Sequence, residues 1–463
     1  MKVKNSLKAL LCILWIALYI GGCYGKQSFR PDSTEPVPEV ASGKLLSVRE
    51  MAEDLEFTIG VLGDVHPQTY HGFSKKQKQL IESMRSGITE PMEARRFYFI
   101  INELFVSFRD GHTRLRPLKN KHNKIIDAGF VWLHNGLYVT SDGVKLKHGD
   151  KIIAIGDKSI DKLLEELTHI IPAENIHFVK YMAGDSLIRE AYLDELNLIQ
   201  DDSVKYTIRR GERQLTVNMP LIKNSEIISK KTSRPWVRFE IDEKLSLGIF
   251  TLDECKYNDE YKEKLKAFFG EVRKHNVQHV AVDVRKNGGG SSQVIDEFLS
   301  YLNIKRYRRF SMEVRYSRAT AKQSNTHKDR GYDKPLFRFN TSDNRKCPNP
   351  ELIFNGKLYI LVSAETFSSG NWFAVIVKDN KLGTVIGEPT GNQPTSYGDV
   401  LSFQMPNTGF RFICSFKKWI RPDTSNDPED SLYPDVMAYT TIGDIIQNKD
   451  AQIEKLKSIV KTK

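Results

Sequence analysis

The chain has 463 residues, enough for two or three domains around a large core. Its composition, 40% hydrophobic and 27% charged, is that of an ordinary globular protein, so function has to be read from local features. The net charge of +11 is scattered over segments such as RKHNVQH (273–279) and KRYRRF (305–310) without a basic tract of the nucleic-acid-binding kind, so no nucleic-acid partner is expected.

Lys2, Lys4 and Lys8 precede the apolar run ALLCILWIALYIGG, which has the length of a signal h-region; residues 1–22 read as an export signal. No other apolar run is long enough to predict a membrane helix. IGGC at 20–23 resembles a bacterial lipobox, which makes Cys23 the lipidated first residue of the mature chain; ordinary cleavage near Gly25, with Cys23 discarded, is the other reading. Both place the protein outside the cytoplasm, in the periplasm or anchored to a membrane of the cell envelope by a lipid on Cys23. The polar, Pro-containing segment 23–43 reads as a tether.

Residues 44–120 show helical periodicity in three runs, LLSVREMAEDLEFTIGVL, SKKQKQLIESMRSG and TEPMEARRFYFIINELFVSF, and predict a small helical domain. Thr89, Pro91 and the following acids predict the start of the third helix. Over 127–222 the texture becomes β-rich: AGFVWL, GLYVTS, DKIIAIG and VKYTIRR are short strands broken by NG, DG and GD turns, with one helix at KSIDKLLEELTHII. From 236 to 463 strands and helices alternate, which predicts an α/β domain with largely parallel strands. Beyond residue 23 the cysteines are Cys255, Cys347 and Cys414; the spacing allows one disulfide but no framework, and no Cys/His cluster has zinc spacing. No metal or other cofactor is expected.

Two turns carry the candidate chemistry. In DVRKNGGGSS (283–292) a strand runs into a glycine-rich turn at a helix start, where exposed N–H groups can receive an anion. It lacks the Lys of a P-loop and the spacing of a dinucleotide fingerprint, which leaves an oxyanion cradle or a plain turn. In TFSSGNWFA (366–374) two serines and a glycine stand between the strand KLYILVS and a helix. A serine there either caps the helix or is presented at the sheet's carboxyl end as a nucleophile beside the next residue's N–H.

Taken together, DVRKNGGG, TFSS about 80 residues later and GEPTG at 387–391 resemble the C-terminal processing peptidases, or tail-specific proteases, in the style of their tricorn-type members. The resemblance covers about 45–455 and implies a crotonase-like α/β core, with GVKLKHGDKIIAIGDKSI (143–160) similar to a PDZ segment. It also implies protein or peptide substrates. Carried over by position, the nucleophile falls on Ser368, and the N–H of Ser369 and that of Gly289 or Gly290 would hold the oxyanion. The lysine of the Ser–Lys branch would stand at 393, where this chain has Gln393, and an amide does not accept that proton. The base implied instead is His112 in FRDGHTRL, with His66 and His148 the other loop histidines weighed. The orienting acid implied is Glu429 in SNDPEDSLYPDV (425–436), with Asp427 and Asp430 in competition, while Asp435 fixes the loop. A non-catalytic, peptide- or ligand-binding relative that keeps the fold is the alternative, and the missing lysine is the argument for it.

Overall fold

Ser47 begins the first helix by a reciprocal cap: its hydroxyl accepts the N–H of Glu50, whose carboxylate accepts the N–H of Ser47. This and all following observations come from a computed structural model, which describes residues 39–118, 124–224, 234–324, 336–339 and 346–461. Cys23 and the export signal lie outside the described residues; among those described, no helix is long and apolar enough to cross a membrane.

The amino-terminal helices are α1 (Val48–Val65), α2 (Lys75–Gly87) and α3 (Ala94–Val106). The helix α3 starts later than its sequence signals suggest, because Met92–Glu93 pairs as a short strand with Leu45–Leu46 and Glu93 takes the cap position without a side-chain bond. These helices do not close a core among themselves. Leu55, Leu62, Phe97 and Phe105 share one cluster with Leu401, Phe403, Phe412 and Phe416, far along the chain. Buried Asp54 reinforces that contact by accepting the N–H groups of Asn407 and Thr408, each at 2.9 Å.

The β-rich region consists of Lys124–Ile126 (β1), Phe130–Leu133 (β2), Gly136–Val139 (β3), Lys151–Ile155 (β4), Ser203–Arg210 (β5) and Arg213–Lys223 (β6). They form an antiparallel sheet in the order β1-β6-β5-β4-β3-β2. Three helices rather than the single predicted one lie here: α4 (Ile160–Leu167), α5 (Ile176–Ser186) and α6 (Glu190–Glu195). Leu163, Leu167, Val179, Ala183 and Leu193 pack on the sheet through Ile152, Ile155 and Tyr206.

After the edge strand Val237–Asp242 (β7) the chain alternates Leu247–Leu252 (β8), Asp259–Lys274 (α7), His279–Asp283 (β9) and Gln293–Ser300 (α8). Ser311–Arg315 (β10), Arg318–Ser324 (α9) and Leu336–Phe339 (β11) follow, then Lys357–Val362 (β12), Ser369–Asp379 (α10) and Thr384–Gly387 (β13). Ser396–Gln404 (β14), Arg411–Ile420 (β15), Val436–Met437 (β16), Ile442–Ile446 (α11) and Ala451–Lys461 (α12) complete the chain. The central sheet has the order β7-β8-β9-β12-β13-β16, parallel except for β7. Every residue of β8 is buried, as expected for a parallel strand covered on both faces. Phe250, Val282 and Ile360 pack against helices α7, α8 and α10, whereas Ile249, Ala281 and Leu361 face α12.

The alternation read from the sequence misses a second sheet. Strands β11-β10-β15-β14 form it, antiparallel, with Arg114–Leu115 joined at its edge to β15. That pairing ties the segment after α3 to this second sheet. The three cysteines Cys255, Cys347 and Cys414 are free, so the disulfide allowed by sequence does not form.

Candidate active site

The carboxyl ends of β9 and β12 are stitched together before any catalytic group is placed. Ser363 donates its hydroxyl to the carbonyl of Arg285 at 2.6 Å, Thr366 donates to Val284 at 2.9 Å, and the N–H of Phe367 donates to Asn287 at 2.9 Å. The next residue, Ser368, has φ 50° and ψ −128°, a backbone shape that costs a residue with a β-carbon about 1–3 kcal/mol. Ser368 stands at the cap position of α10, yet its hydroxyl makes no capping bond. The capping explanation for this serine therefore fails. Ser369 does other work: its hydroxyl donates to the carbonyl of Gly290 at 2.7 Å. Its N–H belongs to the first turn of α10, where no intrahelical acceptor exists.

Glycine is required at two places in the facing turn. Gly289 has φ +109°, and a β-carbon there would lie 2.5 Å from the β-carbon of Ser368. Gly290 has φ +133°, and a β-carbon there would collide with the carbonyl of Cys255. The N–H of Gly289 donates to Asn287 Oδ1 at 2.8 Å, whereas that of Gly290 has no hydrogen-bond acceptor among the described residues.

The loop after α3 brings His112 to the same place. Ser415 on β15 donates its hydroxyl to Asp110 Oδ2 at 2.7 Å and its N–H to Thr113 Oγ1 at 3.0 Å. The His112 ring lies against Phe367, the residue before Ser368, with centroids 4.6 Å apart. His112, Ser368, Ser369, Gly290, Trp372 and Trp419 line one cavity of about 230 Å³.

The carboxylate beside His112 is Asp110. Its Oδ1 accepts the His112 N–H at 2.9 Å and lies 3.6 Å from His112 Nδ1. Its Oδ2 faces His66 Nε2 at 3.2 Å. The N–H of Gln68 donates to His66 Nδ1, so the His66 proton is on Nε2 and points at Asp110. Burial alone would raise the Asp110 carboxyl, but the neighbouring His112 and His66 rings outweigh it and hold it well below the usual carboxylate range. A second buried acid, Glu174, is pushed the other way, up to about 8, by burial and by the Asp110 charge.

Glu429, the acid expected from sequence, is turned elsewhere and is corrected here. Its carboxylate accepts from Arg421 Nη1, and the buried Arg421 also grips Asp379 at 2.6 Å. Its competitors are occupied as well: Asp427 accepts from Thr395 Oγ1 and Asp430 from the Tyr433 hydroxyl. An Arg paired on both sides needs those acids to avoid a buried unpaired charge, which explains an acidic loop here without chemistry. Asp435 accepts the N–H of Val385 at 2.8 Å, in keeping with a loop-fixing role. His148 lies in the turn before β4, half-buried, with its N–H bonded to Asp142. Asp110 was legible two residues before His112 in FRDGHTRL; Glu174 carries no motif.

Residues 246–437 match peptidase family S41. A protein of Staphylococcus haemolyticus (strain JCSC1435) described as "Probable CtpA-like serine protease" is 23% identical over 296 residues, 63% of this chain and 51% of that one. The chain thus spans about half the length of the curated relative it matches. Among solved structures, mature CPAF aligns with a TM-score of 0.62 at 14% identity, covering 89% of this chain and 97% of CPAF. Its complex with lactacystin gives 0.63 at 14% identity over 90% and 98%. At that identity the likeness speaks for the fold. The matched residues 246–437 hold both the glycine run and the TFSSGN turn.

Proposed function

We propose that the protein is an exported serine endopeptidase in which Ser368 attacks a peptide carbonyl while His112 removes its proton. The observation that carries this reading is the Ser368 hydroxyl itself: strained, uncapped and in one cavity with an imidazole. A hydroxyl is a weak nucleophile until a base takes its proton, and imidazole titrates near the pH at which that transfer is efficient. Asp110, ionised beside His112, orients the ring and stabilises the imidazolium that forms. The N–H groups of Ser369 and Gly290 receive the oxyanion; Gly289 supplies room rather than a donor because its N–H is already spent on Asn287. His112 then protonates the leaving amine, and water repeats the sequence on the acyl-enzyme. The central sheet and its helices serve as a crotonase-like core. The β-rich region acts as a PDZ-like unit that takes an extended substrate segment along a sheet edge. Export follows the amino-terminal signal, and lipid on Cys23 would anchor the chain to a membrane.

The test is labelling of the purified chain with a fluorophosphonate, followed by mapping of the modified peptide. A single adduct on Ser368, absent from Ser368→Ala, is expected. Labelling of both forms alike, or of neither, would favour the non-catalytic binding reading. Gly289→Ala is expected to slow labelling by about 10²-fold or more, because the added methyl must displace the Ser368 side chain and with it the aim of the oxyanion donors. The labelling rate and a melting curve measured together check that the loss is local.

A further inference from the structure

A chain of hydrogen bonds leads from the β-rich region to the backbone of Ser368. The segment between α4 and α5 leaves that region and is buried against the core. There Arg109 Nη2 donates to the carbonyl of Glu174 at 3.1 Å. Asn175 Nδ2 donates to the carbonyls of Thr390 at 3.1 Å and Asp430 at 2.8 Å. The Phe178 ring stacks on Phe367 with centroids 4.6 Å apart. At the tip of this segment Glu174, 2% exposed, accepts from Asn392 Nδ2 at 2.9 Å through Oε1. Asn392 is fully buried, and its Oδ1 accepts the N–H of Ser368 at 3.0 Å.

An asparagine amide has one accepting end and one donating end. The bond to Glu174 decides which end meets Ser368: a reversed amide would press its NH₂ against the Ser368 N–H and leave both unsatisfied. The Ser368 backbone sits in a sparsely populated conformation that persists only where its surroundings impose it. We propose that Glu174 is a positioning residue for the nucleophile, acting through Asn392 to hold the Ser368 turn in its strained shape. The inference rests on Ser368 being the nucleophile.

The position of Glu174 also makes its charge matter. Asp110 and His112 face it from the loop after α3, with one side-chain nitrogen or oxygen of each of the three residues within 4.8 Å of the others, and His66 stands behind Asp110. Arg114 adds positive field from the same side, while the Arg109 head is engaged with the Glu174 carbonyl. On α5, His177 faces Lys180 and Asp430, and Lys180 faces Asp161. Glu365, in the turn before Ser368, is bonded to Tyr181. Burial and the Asp110 carboxylate push Glu174 up to about 8, so it is a neutral acid at pH 7 and ionises above that point. Ionisation would place two carboxylates side by side in a closed site. The two carboxylates would repel each other, so the arrangement is expected to weaken as pH rises through about 8.

The test is the fluorophosphonate labelling rate of the full chain from about pH 6 to about pH 9.5. The wild-type rate is expected to rise from the acid end of the range and then fall about tenfold on the alkaline side. Glu174→Gln keeps an oxygen for Asn392 and cannot ionise; it is expected to stay within about threefold of wild type at pH 7 and to lack the alkaline fall. Glu174→Ala and Asn392→Ala are each expected to lose about 10–100-fold at pH 7, and the double variant no more than Asn392→Ala alone. An alkaline fall that survives in Glu174→Gln, its absence from wild type, or Glu174→Ala labelled at the wild-type rate would overturn the proposal. Should Glu174→Ala fail to fold, the glutamine variant decides alone. Wild type that never labels at Ser368 would refute the nucleophile reading and this inference with it. Labelling that requires Ser368 but ignores Glu174 would refute this inference only.

Discussion

Ser368→Ala and His112→Ala are each expected to lower peptide turnover by about 10⁶-fold, and the double variant is expected to lose no more than either alone. In the proposed mechanism the two side chains act as one device. Without the imidazole the hydroxyl keeps its proton; without the hydroxyl the imidazole has nothing to deprotonate. The ring's placement against Phe367 leaves its contact with the chain intact when Ser368 becomes alanine, so binding should survive. The loss should therefore fall on kcat, with KM little changed. Residual catalysis of about 10³–10⁴ over water would come from the oxyanion donors and substrate binding. Steady-state kinetics on the three variants check this; additive losses would mean that the residues act separately.

Asp110→Asn is expected to cost about 10⁴-fold in kcat, while Glu429→Gln stays within about threefold of wild type. The contrast separates the acid found beside His112 from the acid expected by sequence. Asp110 holds the His112 loop through the His112 N–H and faces His66 and Ser415, so an amide at 110 would set a donor against donors. It would also remove the charge that balances the imidazolium. Glu429 faces Arg421, and its substitution should show in stability rather than in rate. The pH dependence of folding follows from the same carboxylate. Its folded value lies below its unfolded one, so its contribution is complete at neutral pH and is lost as pH falls below the usual carboxylate range. Melting temperatures of wild type and Asp110→Asn, compared between neutral and acid pH, should converge as the medium is acidified.

The parallel strands of the core were legible because their burial on both faces leaves unbroken apolar runs such as LGIF and LYILV. The glycine run and the TFSSGN turn were legible because close backbone approach admits few residue types. The antiparallel sheet of β10, β11, β14 and β15 was not. Its strands come from separated stretches of the chain, and SFKKWI reads as polar until the Lys417 ammonium is seen over the Phe416 and Trp419 rings. Two helices, α5 and α6, escaped because their polar faces are interrupted by Gly184 and a short break at 187–189. The acid beside His112 was not the one expected from sequence, for a related reason. A loop dense in Asp and Glu invites a catalytic reading, yet here it neutralises buried Arg421, and only the fold shows that partner. Glu174 and Asn392 lie 218 residues apart, a pairing no spacing rule could reach.

The central claim is that the His112 imidazole takes the proton from Ser368, and the rate of Ser368 acylation against pH tests it most directly. In wild type the rate is expected to fall toward acid pH, where a base that must accept the Ser368 proton already carries one. In His112→Ala it is expected to be about 10³-fold slower or worse, with no such fall. Acylation of His112→Ala at the wild-type rate, with the same pH dependence, would contradict the account.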